Sequence, residues 1–266
     1  IRCIVWIPGS EPCILLSKEG VIQGCILAML LYCITLLLLA AKLWQAVPEC
    51  LQPWYANDLT FLGPASANAK CFQLLLKWGP TVGYFPSPEK SFHVCPQQDE
   101  PAAQQAFDET GLHIQYTQGH CYVGIFIGSA KIEEQWLKPL IRAWEQGVKA
   151  LARVALRYPH TAYAAFVFSL QAEWQHLCRL CPSAETHLAP VEEAIHLSLI
   201  PAIIGSDKPV NDNFWRLLAH GVKQGSLAIR NPCITAPILY QTLKAATEIL
   251  VTSLLNSEPF DSQRHR

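Results

Sequence analysis

Four side chains of metal-ligating type, His176, Cys178, Cys181 and His187, lie close together in the sequence, two of them in a Cys-x-x-Cys spacing. Such ligands can close a zinc tetrahedron. Two of them fall on a segment expected to be helical, however, and the spacing fits no common zinc module, so zinc is not the expectation. The acidic pairs Glu133-Glu134 and Glu192-Glu193 stand where first turns of helices are expected, and the helix dipole favours carboxylates there. They read as solvated residues. No Gly-rich phosphate loop and no Gly-x-Ser-x-Gly elbow occurs. Two patterns remain. In the first, Asn57-Asp58 is a polar pair bracketed by Trp54-Tyr55-Ala56 and Leu59-Thr60-Phe61, as at the tip of a β-hairpin. In the second, Lys131, Lys138, Arg142, Lys149 and Arg153 fall within roughly 60° of one another at 100° per residue. A stripe of this kind is either a solvated outer face or a surface for nucleic-acid phosphates.

The elements that must position these residues follow from the pattern of apolar and turn residues. Residues 1–7 have strand composition, Pro8-Gly9-Ser10 is a turn, and Cys13 to Ser17 reads as the return strand. Ala65 to Trp78 reads as an amphipathic helix stopped by Gly79-Pro80. Its Ala69, Phe72, Leu75 and Leu76 share one face, and Asn68, Lys70 and Lys77 lie on the others. Strands are expected at Phe92–Cys95 and His120–Gly128, with a short helix between them at Pro101–Thr110. The glycine inside the second strand marks a close backbone approach. From Ser129 the pattern becomes helical, and Trp136, Leu140, Trp144, Leu151 and Ala155 are expected on the core side, opposite the cations. Pro139 and Gly147 interrupt that segment. Further helices are expected over Thr161–Leu180, Pro190–Ile200 and Ala236–Leu255, followed by a disordered polar tail at 257–266.

With 266 residues, half of them apolar, the chain can bury a full core as one large domain or two small ones. A net charge of −1 provides no global pull toward nucleic acid or anionic membrane, so any such pull must be local. Eleven cysteines, an odd number without regular spacing, imply reduced thiols and an intracellular (cytoplasmic or nuclear) location. The start at Ile1, without an initiator Met or a charged leader, suggests a fragment. Gly20 to Ala41 carries no charge. By length and hydropathy it fits a membrane span, and a helix buried on all sides of a large core reads the same way.

Trp54-Tyr55-Ala56-Asn57-Asp58 resembles the Tyr-Ala-Asp-Asp box of reverse transcriptases, with Asn57 in place of the first aspartate. Upstream, Gly20-Val21-Ile22-Gln23-Gly24-Cys25-Ile26-Leu27-Ala28-Met29-Leu30-Leu31-Tyr32 resembles the palm segment Gly-Val-x-Gln-Gly-Asp-Pro-Leu-(Ser/Ala)-x-Leu-Leu-Tyr of the same family, departing at Cys25 and Ile26. Gly83-Tyr84-Phe85-Pro86 through Lys90-Ser91 resembles the family's turn into its next palm strand. Tyr122-Val123-Gly124 to Gly128 resembles the hairpin that grips a primer end. Phe214 to Pro232 resembles a late Gly-Gly-Leu-Gly-(Ile/Leu)-x-(Asp/Asn)-Pro segment, with Ser226 and Ala228 replacing two glycines. The five segments keep the family order.

The resemblance implies an α+β fold. A partial polymerase palm, an antiparallel sheet with packed helices, would span 1–128, and an all-helical thumb-like domain 129–256. It implies RNA template, DNA primer and dNTP as partners, Mg²⁺ as cofactor and no membrane contact. Asp58 would be the surviving metal ligand and Asn57 a degenerate one. Gln23, Gly24, Tyr55 and Lys90 would contact template or nucleotide, Tyr122 and Gly124 would grip the primer, and Lys138, Arg142, Lys149 and Arg153 would meet the backbone. The full site takes three aspartates, and the earliest is not seen before the Gln-Gly pair. Asn57 is neutral and a poorer Mg²⁺ ligand, so the expectation is a polymerase relative without nucleotidyl transfer.

Overall fold

The computed structural model describes residues 2–5, 9, 13–16, 25–55, 58–256 and 258–265; the candidate residues Gln23, Gly24 and Asn57 lie outside these. The chain is mixed α and β and divides into two compact units, Ile1–Thr117 and Gln118–Arg266. The second unit takes in the Gly119–Gly128 region together with the helices that follow it. The second unit is therefore not wholly helical.

In the first unit β1 (Arg2–Val5) and β2 (Cys13–Leu16) pair antiparallel, Arg2 opposite Leu16, as the turn at Pro8-Gly9-Ser10 suggested. Helix α1 (Ala28–Ala46) follows, then the two-residue strands β3 (Trp54–Tyr55) and β4 (Asp58–Leu59). Helix α2 (Ala65–Trp78) occupies the span its periodicity predicts. Its Ala69, Phe72 and Leu75 meet Leu36, Leu39 and Leu43 of α1 and Phe107 of α3 (Glu100–Asp108) in one core. Asn68 belongs with that buried side and not with Lys70 and Lys77. Its amide donates to the Gly63 carbonyl at 3.1 Å, and its Oδ1 accepts from the Cys50 thiol at 3.4 Å. Those bonds offset the cost of burying the amide. Strands β5 (Phe92–Val94) and β6 (Gln115–Thr117) pair parallel around α3. Among the described residues the strands form separate two-stranded pairs, one of them parallel, in place of the single antiparallel palm sheet expected.

The second unit opens with β7 (Gly119–Tyr122) and β8 (Ile125–Gly128), an antiparallel hairpin where one strand was expected. Val123 and Gly124 make the turn, both at positive φ (50° and 78°), the two-residue form whose twist matches the flanking strands. Helix α4 (Ala130–Ala155) runs unbroken through Pro139 and Gly147. Pro139 sits on the exposed side, away from the packed face.

A helical layer of α5 (Pro159–Ala165), α6 (Gln171–Glu173), α7 (Gln175–Leu180), α8 (Ala184–His187), α9 (Ala189–Ala194) and α10 (Ile200–Ile204) follows. π-helical turns at Phe166–Leu170 and Ile195–Leu199 interrupt it. Helix α11 (Asp212–Leu218) and the long α12 (Pro232–Asn256) complete the unit, and α12 packs on α7 and α8. Phe166, Leu137, Leu188, Ile195 and Ile200 are fully enclosed in its core, and each such side chain contributes about 1.5–3 kcal/mol. After α12 the tail expected to be disordered bonds locally: the Ser253 hydroxyl donates to the Glu258 carbonyl at 2.6 Å, and Phe260 meets His265 at 5.1 Å.

Candidate nucleic-acid interface

The β3–β4 hairpin carries the box residues. Tyr55 faces Asp58 directly across the pair, and Trp54 faces Leu59. The ladder extends outward through Leu51 and Leu62, whose backbone groups exchange bonds of 2.8 and 2.9 Å. The Trp54 ring meets Tyr84 edge-on at 5.7 Å, so the hairpin is anchored on one side by aromatic packing. Tyr55 and Asp58 are exposed. The Tyr32 phenol of α1 has its pKa raised by burial first, then by the charges of Cys33 and Asp58. Asp58 therefore lies within electrostatic reach of Tyr32.

Among the described residues no three Asp, Glu, His or Cys side chains converge as a metal site needs. Asp58 on a two-residue strand is a single carboxylate donor, whereas Mg²⁺ in nucleotidyl transfer takes carboxylates in octahedral geometry. The described donor set does not fit the ion. The Cys/His cluster likewise does not close: Cys178 and Cys181 are buried in the core, and exposed His176 faces the hairpin tip. Burial pushes the Cys178 thiol up to about 12 and the Cys233 thiol up to about 11, so both stay protonated and apolar in character near neutral pH.

Lys90 stands exposed at the end of a 3₁₀ turn, Pro88–Lys90, just before β5. The turn is held by the Ser91 hydroxyl donating to the Ser87 carbonyl at 2.8 Å and by the Gln115 amide donating to the Glu89 carbonyl at 2.7 Å. Gly83, in the left-handed region at φ 78°, makes the glycine turn ahead of it.

In the second unit Tyr122 ends β7 and Gly124 occupies the hairpin turn, which corrects the reading of Gly124 as an internal strand glycine. The base of the hairpin is crowded. A Cβ on Gly128 would lie 2.3 Å from the Gln118 carbonyl oxygen and from the Gly119 Cα, so only glycine fits. Phe126 stacks on Trp136 of α4, ring centroids 5.7 Å apart and 29° between planes.

Lys131, Lys138, Arg142, Lys149 and Arg153 are all exposed along α4. The buried residues of this helix are Leu137, Ile141, Val148, Ala152 and Ala155. Of the expected apolar face only Ala155 is fully buried, and Trp136, Trp144 and Leu151 are partly so. At 100° per residue the buried line lies roughly 100° round the helix from the cations, so the basic stripe flanks the packed face. The Trp144 Nε1–H donates to Glu173 at 2.9 Å, which keeps one edge of that ring near solvent. Lys138 pairs with Glu134 at 3.1 Å and Lys149 pairs with Glu145, each one turn earlier. Among the described residues Arg142 and Arg153 have no ion-pair partner.

His176 and Val123 were missed as a contact by sequence reasoning. The His176 Nε2 lies 3.1 Å from the Val123 carbonyl oxygen, a bond between residues far apart in the chain that no local signal announces. Compared with protein-family models, curated proteins and solved structures, the chain matches none.

Proposed function

We propose that this chain is a retrotransposon-type reverse transcriptase relative that keeps a nucleic-acid-binding surface and has lost nucleotidyl transfer. The observation that carries the reading is the α4 face: cations spaced one and two turns apart, exposed, on the helix directly after a hairpin whose sequence resembles a primer grip. Phosphate contact needs that display and gains nothing from the rest of the chain's near-neutral charge. The second support is the placement of Tyr55 and Asp58 on a short hairpin within electrostatic reach of Tyr32. Substitution of a neutral amide, Asn57, at a metal-ligand position removes anionic donors on which two-metal catalysis depends.

The test is equilibrium binding of the purified chain to a labelled RNA–DNA primer–template, beside a primer-extension assay with dNTPs and Mg²⁺. Binding that weakens steeply with salt, without extension above a no-protein control, is expected. Extension would refute the loss of chemistry, and absence of binding at low salt by folded protein would refute the interface.

One observation favours a second reading, an apolar environment for α1. Leu36, Leu39 and Leu43 are its buried residues, while Met29, Leu30, Ile34, Leu37 and Leu38 are each more than half exposed. Co-sedimentation of the chain with phosphatidylcholine vesicles would support it, and full recovery of soluble protein with vesicles present would exclude it.

A further inference from the structure

We infer that His176 is the positioning residue for the tip of the β7–β8 hairpin, holding the Val123 carbonyl so that Tyr122 and Gly124 present a fixed edge to a nucleic-acid strand. This rests on the reading above of that hairpin as a primer-gripping element. A β-branched residue such as Val123 at φ 50° is a genuine backbone outlier. Such a conformation persists only where the surroundings over-determine it. The turn alone does not, because Val123 is 38% exposed and little apolar packing holds it. The additional constraint comes from α7. His176 Nε2 sits 3.1 Å from the Val123 carbonyl oxygen, and the ring fills the open side of Gly124, where a Cβ would lie 3.2 Å from Nε2 and 3.4 Å from Cδ2.

The base and the tip of the hairpin are held by different means. Phe126 on Trp136, the Gly119–Gly128 approach and the Ser129 N–H donating to Gln118 at 2.9 Å secure the base without any help from His176. Loss of the imidazole should therefore free the tip and leave the core intact. A carbonyl oxygen requires a donor, and both the Nε2–H tautomer and the imidazolium supply one.

The experiment compares wild type, His176→Ala and His176→Gln by fluorescence anisotropy on an RNA–DNA primer–template, with amide hydrogen exchange of 122–125 measured on the free proteins. His176→Ala is expected to weaken binding about threefold to tenfold, the range one hydrogen bond supplies, and to speed exchange at the tip. Its salt dependence should match wild type, since no phosphate contact is lost. His176→Gln, which keeps an N–H donor, should recover most of the affinity. Unchanged exchange or unchanged affinity in His176→Ala, with wild type binding normally, overturns the positioning role alone. If folded wild type does not bind, the reading of the hairpin fails with it.

Discussion

Replacing Arg142 and Arg153 together by alanine should flatten the salt dependence of nucleic-acid binding more than replacing Lys138 and Lys149. All four side chains are exposed on one face of α4, but their electrostatic situations differ. Each lysine already shares its charge with a glutamate one turn earlier, whereas among the described residues the arginines have no ion-pair partner. A cation that neutralises a phosphate contributes about 0.9 to the slope of log K against log salt. Two free arginines thus account for about 1.8, which is roughly tenfold in affinity between 50 and 200 mM salt. A lysine must give up its carboxylate to reach a phosphate, so the lysine pair should change the slope by about 1 or less. Lys138 to Arg153 spans roughly 22 Å of helix, about six or seven nucleotide steps, so a short duplex suffices. The assay is anisotropy of an end-labelled RNA–DNA duplex over a KCl series, with circular dichroism confirming the fold of each variant. If the lysine pair flattens the slope more than the arginine pair, or neither pair changes it while binding persists, the α4 face is not the phosphate contact.

Three further outcomes are expected. Gln171→Leu should destabilise the chain by about 2–4 kcal/mol in urea unfolding, because the Gln171 amide donates to Ala228 at 3.1 Å and accepts from the Arg230 N–H at 2.9 Å, leaving both backbone groups unsatisfied when removed; a loss below about 0.5 kcal/mol would contradict this. Val123→Gly should raise the melting temperature by about 2–4 °C, since it releases a strained φ of 50° at a net gain of about 1 kcal/mol; a lower melting temperature would show that the valine packs usefully. Unfolded thiols ionise near pH 8.5, while burial holds Cys178 protonated up to about 12. Its contribution to stability is therefore fully present below about pH 8.5 and is lost as pH rises toward 12, at about 1.4 kcal/mol per unit. Denaturation of wild type and Cys178→Ala from pH 7 to 10 should converge at the alkaline end, and parallel curves would refute the shift.

The residues that read correctly from sequence are those whose structure is decided within a few positions. Helix α2 begins after Pro64 and stops at Gly79-Pro80, and its apolar spacing selects Ala69, Phe72 and Leu75 for the core. Asn68 departs from that pattern because a carbonyl from Gly63 and a thiol from Cys50, set by the preceding loop, offer its amide better partners than water. Along α4 the helix was legible and its buried face was not. Spacing alone weighs Trp136, Trp144 and Leu140 as equal to Leu137 and Ile141, but the packing partners choose, and α4 meets α5, α9, α10 and the Ile195–Leu199 turn with the Leu137 and Ile141 line. The β7–β8 turn was hidden for a similar reason. Val-Gly lacks the Asn-Gly or Asp-Gly signature of a primed turn, and its constraint arrives from His176, outside the hairpin.

Helix α1 presents the opposite problem, too little pattern instead of a misleading one. Its run from Cys25 to Ala41 is apolar on every side, so periodicity cannot say which side is covered. The structure answers for its C-terminal half, where Leu36, Leu39 and Leu43 meet α2. The N-terminal half, Ala28 to Thr35, has no fully buried residue and leaves Met29, Leu30, Leu31 and Ile34 exposed. Exposed leucines in a row are costly in water, at about 25 cal/mol for each Å² left uncovered. The absence of charged positions on that half is therefore a demand for a covering surface, written into the sequence without any signal of what supplies it.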